Sequence, residues 1–197
     1  MWAAFHARVT DPIAAAGIPM LVTPGNHDAS AYPGFELERR LFDQTWTRRA
    51  PGVVLLDGER YPFRYAASVG EVLFLGLDVT VPGPLDPEEM NWIAQILREE
   101  RARHRAAIAF GHIPVWPVSA GREREVIGDA AFRDLLAGNG VAAYLCGHHH
   151  AFLDSTKGGL RQIAQSCLGG GPRRPIGAAA RSPRGFTELV VENDGRI

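Results

Sequence analysis

The segment Cys146-Gly147-His148-His149-His150 holds the densest group of potential metal-ligating side chains in the chain. It sets imidazoles at i and i+2 directly after the apolar run Val141–Leu145. Neutral imidazole is the commonest side-chain ligand for divalent transition metals. The same letters also fit a polar loop that happens to be rich in histidine. Two further segments favour the metal reading. Met20–Thr23 is a short apolar run followed by Pro24-Gly25-Asn26-His27-Asp28, and Ala106–Phe110 is followed by Gly111-His112-Ile113-Pro114. Three strand-like runs therefore end in a glycine and then a His or an Asn-His pair. In open α/β sheets, ligands bind outside the carboxyl ends of the strands, where turns distant in sequence converge. Five of the seven histidines lie in these three turns. His6 and His104 fall in helix-like stretches and read as surface or partly buried helix residues.

The elements that must carry these turns can be read from periodicity. Residues 2–16 predict a helix, with Trp2, Phe5, Val9 and Ile13 at helical spacing and Gly17 and Pro19 as stops. A strand at 20–23 feeds the Asn-His turn, and a helical insert is expected around Glu36–Thr47. Strands are predicted at Val53–Leu56, Tyr61–Ala66 and Val72–Leu77, separated by Asp57-Gly58 and Val69-Gly70 turns. Asp86-Pro87-Glu88-Glu89 combines an N-cap, a first-turn proline and acids suited to the helix dipole. The helix it opens is expected to run to Arg103, with Met90, Ile93 and Leu97 as its apolar stripe and a Glu99–Arg103 pair on its solvated face. A loop over Pro114–Gly128 carries Trp116 and Arg122-Glu123-Arg124-Glu125, either a substrate rim or a solvated loop with one packed aromatic. A helix at Asp129–Ala137, a strand at 141–145, and strands near Gly159–Ala164 and Phe186–Glu192 complete the pattern. Gly169–Gly171 reads as a flexible turn. The alternation argues for a layered α/β fold in one domain over residues 1–197.

Composition narrows the function classes. A chain of 197 residues with 46% apolar content can bury one core. A formal charge of -1 gives no electrostatic case for nucleic-acid binding or a membrane surface. Cys146 and Cys167 form no Cys-x-x-Cys pair and read as buried thiols of a cytoplasmic protein. No Gly-x-Ser-x-Gly elbow supports a serine hydrolase, and Cys167 precedes a glycine run without a placed base.

The ordered set Gly25-Asn26-His27-Asp28, Gly111-His112 and Gly147-His148-His149-His150 resembles the calcineurin-like metallophosphoesterases, and the likeness extends over Val72–Asp78 and the Leu85–Leu97 helix. The resemblance implies a sandwich of two mixed β-sheets flanked by helices, and phosphate-ester hydrolysis at two divalent metals (manganese, iron or zinc). It also implies roles by position. Asn26, His112 and His148 would bind one metal and His150 the other. His27 would sit by the phosphate or protonate the leaving oxygen, with Asp28 orienting its ring. His149 would have no metal role.

The family's Asp-x-His and Gly-Asp-x-x-Asp motifs do not occur upstream of Gly25. The expectation is an N-terminally incomplete member, lacking the first βαβ portion and a piece of a longer phosphoesterase. All four remaining ligands are neutral. Two unit charges about 4 Å apart repel by roughly 4 kcal/mol at an effective dielectric of 20, and a pair of divalent ions multiplies this about fourfold. One metal on Asn26, His112 and His148 is therefore expected. The alternative to an enzyme is a non-catalytic remnant that binds a single metal or a partner protein.

Overall fold

The computed structural model describes residues 2–49 and 51–197, so Met1 and Ala50 lie outside the described residues. The chain forms a seven-stranded mixed sheet with helices against it. Helix α1 (Trp2–Phe5) continues through one π-helical turn, His6–Thr10, into α2 (Asp11–Ala15). Gly17, at φ 71°, ends it in a conformation that glycine adopts without a Cβ clash. Helix α3 (Glu36–Trp46) packs against this segment through Trp2, Phe42 and Trp46. His6, expected at or near the surface, is buried among these rings.

Strands β1 (Val54–Arg60), β2 (Arg64–Val69) and β3 (Val72–Gly76) pair antiparallel. The sheet then turns parallel through β4 (Ala106–Phe110), β5 (Ala143–Cys146) and β7 (Leu160–Ala164), with β6 (Leu153–Lys157) antiparallel at the edge. Helix α4 (Pro87–Glu100) opens with the Asp86 side chain accepting the Glu89 N–H at 2.9 Å. Trp92, Ile93, Ile96 and Leu97 are its buried stripe. Helix α5 (Ala130–Gly138) opens with Asp129 accepting the Ala131 N–H at 2.8 Å. One face of the sheet (Leu73, Leu75, Ala107, Ala109, Tyr144) joins these helices in the main core. On the other face Val72, Ala106 and Ile108 pack with Phe74, Leu145 and the tail residues Val191 and Ile197.

Several expectations need correction. Among the described residues there is one sheet, not a sandwich of two. Residues 20–23 are not a strand. The Tyr65 hydroxyl takes the place of a ladder there, accepting from Val22 N–H at 2.8 Å and donating to Val22 C=O at 2.6 Å. Residues 186–192 are irregular, with Glu192 closing a turn to Arg196. Asp57-Gly58 lies inside β1, and the chain reverses at Tyr61–Phe63 instead. Arg103 pairs with Glu100 at 2.6 Å, while Glu99 accepts from Gln95. No described helix is long and apolar enough to cross a membrane.

Candidate metal centre

The parallel register of β3, β4 and β5 brings three turns to one edge of the sheet. Backbone hydrogen bonds tie them together. Gly111 N–H donates to Leu145 C=O at 3.0 Å, Ile113 N–H to Val79 C=O at 3.1 Å, and Gly147 N–H to His112 C=O at 3.0 Å. Gly111 has no room for a side chain, because a Cβ there would stand 2.7 Å from the Tyr144 hydroxyl oxygen. That hydroxyl donates to Ile113 C=O at 2.8 Å and pins the His112 turn from below. The Asn26 turn closes through Ala29 N–H to Gly25 C=O at 2.9 Å and is moored by Thr23 Oγ1, which donates to Leu77 C=O at 3.0 Å.

His148 and His150 adopt φ values of 60° and 50°, the left-handed region that non-glycine residues occupy at a cost of about 1 kcal/mol or more each. The consecutive rings take different partners. His148 Nδ1 lies 3.2 Å from His112 Nε2. His149 is fully buried, and its Nδ1 accepts the Val118 and Ser119 N–H groups at 3.1 Å each. His150 Nδ1 lies 3.2 Å from Gly171 C=O, so the glycine turn holds this ring.

Asn26 Oδ1 is 2.7 Å from the same His112 Nε2. Asn26 Oδ1 and His148 Nδ1, from two other turns, thus both lie within hydrogen-bonding distance of His112 Nε2. Ligand atoms bonded to one tetrahedral ion at about 2.0–2.2 Å stand about 3.3–3.6 Å apart, so the 2.7 and 3.2 Å spacings would have to open slightly to admit a cation. Burial first, and then the neighbouring histidines, push the His112 imidazole down to about 3. Burial also brings His148 down to about 4, against the opposing pull of Glu125. Both rings are therefore neutral near pH 7 and keep the lone pairs that ligation requires. Among the described residues no three His, Cys, Asp or Glu side chains form a metal-holding group, so the cluster is a two-histidine, one-amide set. These residues fit a single cation completed by solvent. They do not fit a pair, because no carboxylate joins the cluster.

His27 is exposed beside Asn26. Asp28 is raised above the usual carboxylate range, first by desolvation, with the His27 charge opposing. Although much of Asp28 is exposed, its Oδ2 tucks into the turn, 2.9 Å from where a Gly25 Cβ would stand.

Sequence reasoning missed two neighbours. Glu125, read only as part of a charged loop, places Oε2 2.8 Å from His148 Nε2 and also accepts from Arg122. Asp78, a bare acid in the sequence, takes a two-point guanidinium contact from Arg39 at 2.5 and 3.3 Å. The run of alternating charges at 122–125 was the available signal for the first; nothing local marks the second. Trp116 is no substrate rim: it is buried, and its indole N–H donates to Ser155 Oγ at 3.0 Å.

The calcineurin-like phosphoesterase family model matches residues 2–152. The chain belongs to that family. This phosphoesterase-family chain is similar in fold to purple acid phosphatase PPD1 from yellow lupin (Lupinus luteus) seeds, with a TM-score of 0.60 and 18% identity over 83% of the chain. It is similar also to a dimetal phosphatase from Danio rerio, with a TM-score of 0.59 and 15% identity over 84% of the chain. It spans 33% of the lupin protein's length and 66% of the fish protein's. No curated protein sequence matches it.

Beside the cluster lies a cavity of about 380 Å³, bordered by Leu21, Thr23, Phe110, Gly111, His112 and Gly147.

Proposed function

We propose that the chain binds one divalent cation through Asn26, His112 and His148, and that this centre serves the hydrolysis of a phosphate monoester or diester. The observation that carries the reading is the meeting of Asn26 Oδ1, His112 Nε2 and His148 Nδ1, from turns 86 and 36 residues apart in sequence, within 2.7 and 3.2 Å. A bound manganese, iron or zinc ion would supply Lewis-acid polarisation of a phosphoryl oxygen and a more acidic water. The chain's own residues supply position and protons. His27, exposed next to a ligand, would donate a proton to a leaving oxygen. Asp28 shares its turn and interacts with its charge. His150, engaged with Gly171, stands apart from the three-atom cluster and would need to leave that contact to join a second ion.

The competing reading is a chain that binds a metal or a partner without catalysis. It is favoured by one specific observation: the ligand cluster contains no carboxylate to compensate a second ion. Metal content after dialysis, measured with hydrolysis of an aryl phosphate monoester and diester, separates the two. Retention of metal with turnover abolished by His27→Ala supports the enzyme. Metal retention without turnover supports the binding protein. No retention defeats both metal readings.

A further inference from the structure

We propose that Glu125 is a positioning residue that selects which nitrogen of His148 is available to a cation. This inference rests on the reading of His148 as a metal ligand. An imidazole offers a ligand atom at only one nitrogen while the other carries its proton, and the hydrogen bond made by the second decides which. Here Glu125 Oε2 stands 2.8 Å from His148 Nε2, and a carboxylate only accepts. The proton therefore sits on Nε2, and Nδ1 keeps its lone pair toward His112 and Asn26. Arg122 Nη1 also lies 3.5 Å from Nε2, but a guanidinium only donates, so it cannot compete for that proton. Arg122 instead donates to the same Glu125 oxygen and fixes it.

The loop that carries Glu125 is built into the histidine turn. His149 Nδ1 accepts from Val118 and Ser119 N–H, so its own proton is on Nε2, which donates to Glu125 C=O at 2.9 Å. Ser119 Oγ donates back to His149 C=O at 2.6 Å. The middle histidine of the triplet thus rivets residues 118–125 in place, and the carboxylate at the end of that segment reaches the first histidine. Because His149 grips the Glu125 backbone, Glu125→Ala removes the carboxylate without releasing the loop.

The test has a readout that needs no metal. Long-range proton–nitrogen correlation on nitrogen-15-labelled protein, free of metal, reports the tautomer of His148. The wild type is expected to show Nε2–H alone, Glu125→Ala a mixture of both tautomers, and Glu125→Gln, whose amide oxygen still accepts, a state between them. Zn²⁺ titration of the same proteins should show affinity weakened about 10- to 100-fold by Glu125→Ala, with no additional loss when His148→Ala is already present. An unchanged tautomer and unchanged Zn²⁺ affinity in Glu125→Ala would overturn the proposal. If the wild type takes up no Zn²⁺, the metal reading fails, while the tautomer still decides whether Glu125 sets the proton.

Discussion

Two polar clusters sit at the same edge of the sheet and solve burial in opposite ways. On one side of the Asn26 turn, Arg39 meets Asp78 at 2.5 Å and Arg64 meets Glu89 at 3.2 Å. Each charge there faces a counter-charge, although Oε1 of Glu89 is buried without a hydrogen-bond partner. On the other side, Asn26, His112 and His148 bring lone-pair atoms together with no charge between them. Like-polarity atoms at such distances do not stabilise one another unless a proton or a cation lies between. The difference shows that closeness of polar side chains is not itself a sign of a ligand site. What marks the histidine cluster is that its own members can place at most one proton, from the His112 ring, among the three atoms.

The strongest way to break this contrast is to remove one member from each side. His112→Ala or His148→Ala should abolish metal retention, measured by elemental content after dialysis, and His149→Ala should lower it far less, acting only through the loop. Asp78→Ala should leave metal retention intact and destabilise the fold by about 2 kcal/mol, since Arg39 then loses its partner while partly buried. Urea unfolding with an unchanged slope would measure it. If Asp78→Ala stripped the metal instead, the two clusters would not be separate.

The two sides also differ in acid response. His112 and His148 bind protons more weakly folded than unfolded, so the unfolded chain takes up more protons below their ordinary value of 6.5. Stability should therefore rise with pH from about 3 to 6.5, and fall as pH drops through that window; His148→Asn should flatten the rise. Glu89 has the opposite sign. Burial, only partly offset by Arg64, raises it from 4.5 to about 7, so the folded state holds its proton more tightly. Its contribution is greatest below pH 4.5 and declines as pH rises toward about 7. Glu89→Gln should be the smallest effect: about 1 kcal/mol of stabilisation at pH 8 and little change at pH 4. A thermal melt at both values checks it, and stabilisation confined to pH 4 would reverse the assignment.

The histidine side was far more legible in the sequence than the charged side. The two Gly-His strings after apolar runs announce strand-end turns, because glycine permits the tight exit. Parallel pairing of β4 and β5 delivers the two Gly-His turns to one edge, and the Asn26 turn is moored there by Thr23 and by Tyr65. The contact of Arg39 with Asp78 joins residues 39 apart, from a helix and a strand end, and leaves no local pattern. The same holds for Glu125, whose partner lies 23 residues on. The failed strand at 20–23 is a related lesson. Its apolar letters are those of a strand, but a single tyrosine hydroxyl satisfies Val22 from both sides, and no sequence period records that. The second sheet implied by the family resemblance depended on pairing partners for such runs, and among the described residues the runs at 20–23 and 186–192 have none in a ladder.

The most direct test is anomalous diffraction at the zinc edge from crystals of this chain grown with Zn²⁺. The account predicts one peak within about 2.0–2.2 Å of Asn26 Oδ1, His112 Nε2 and His148 Nδ1. A peak elsewhere, or none at this edge of the sheet, would contradict it.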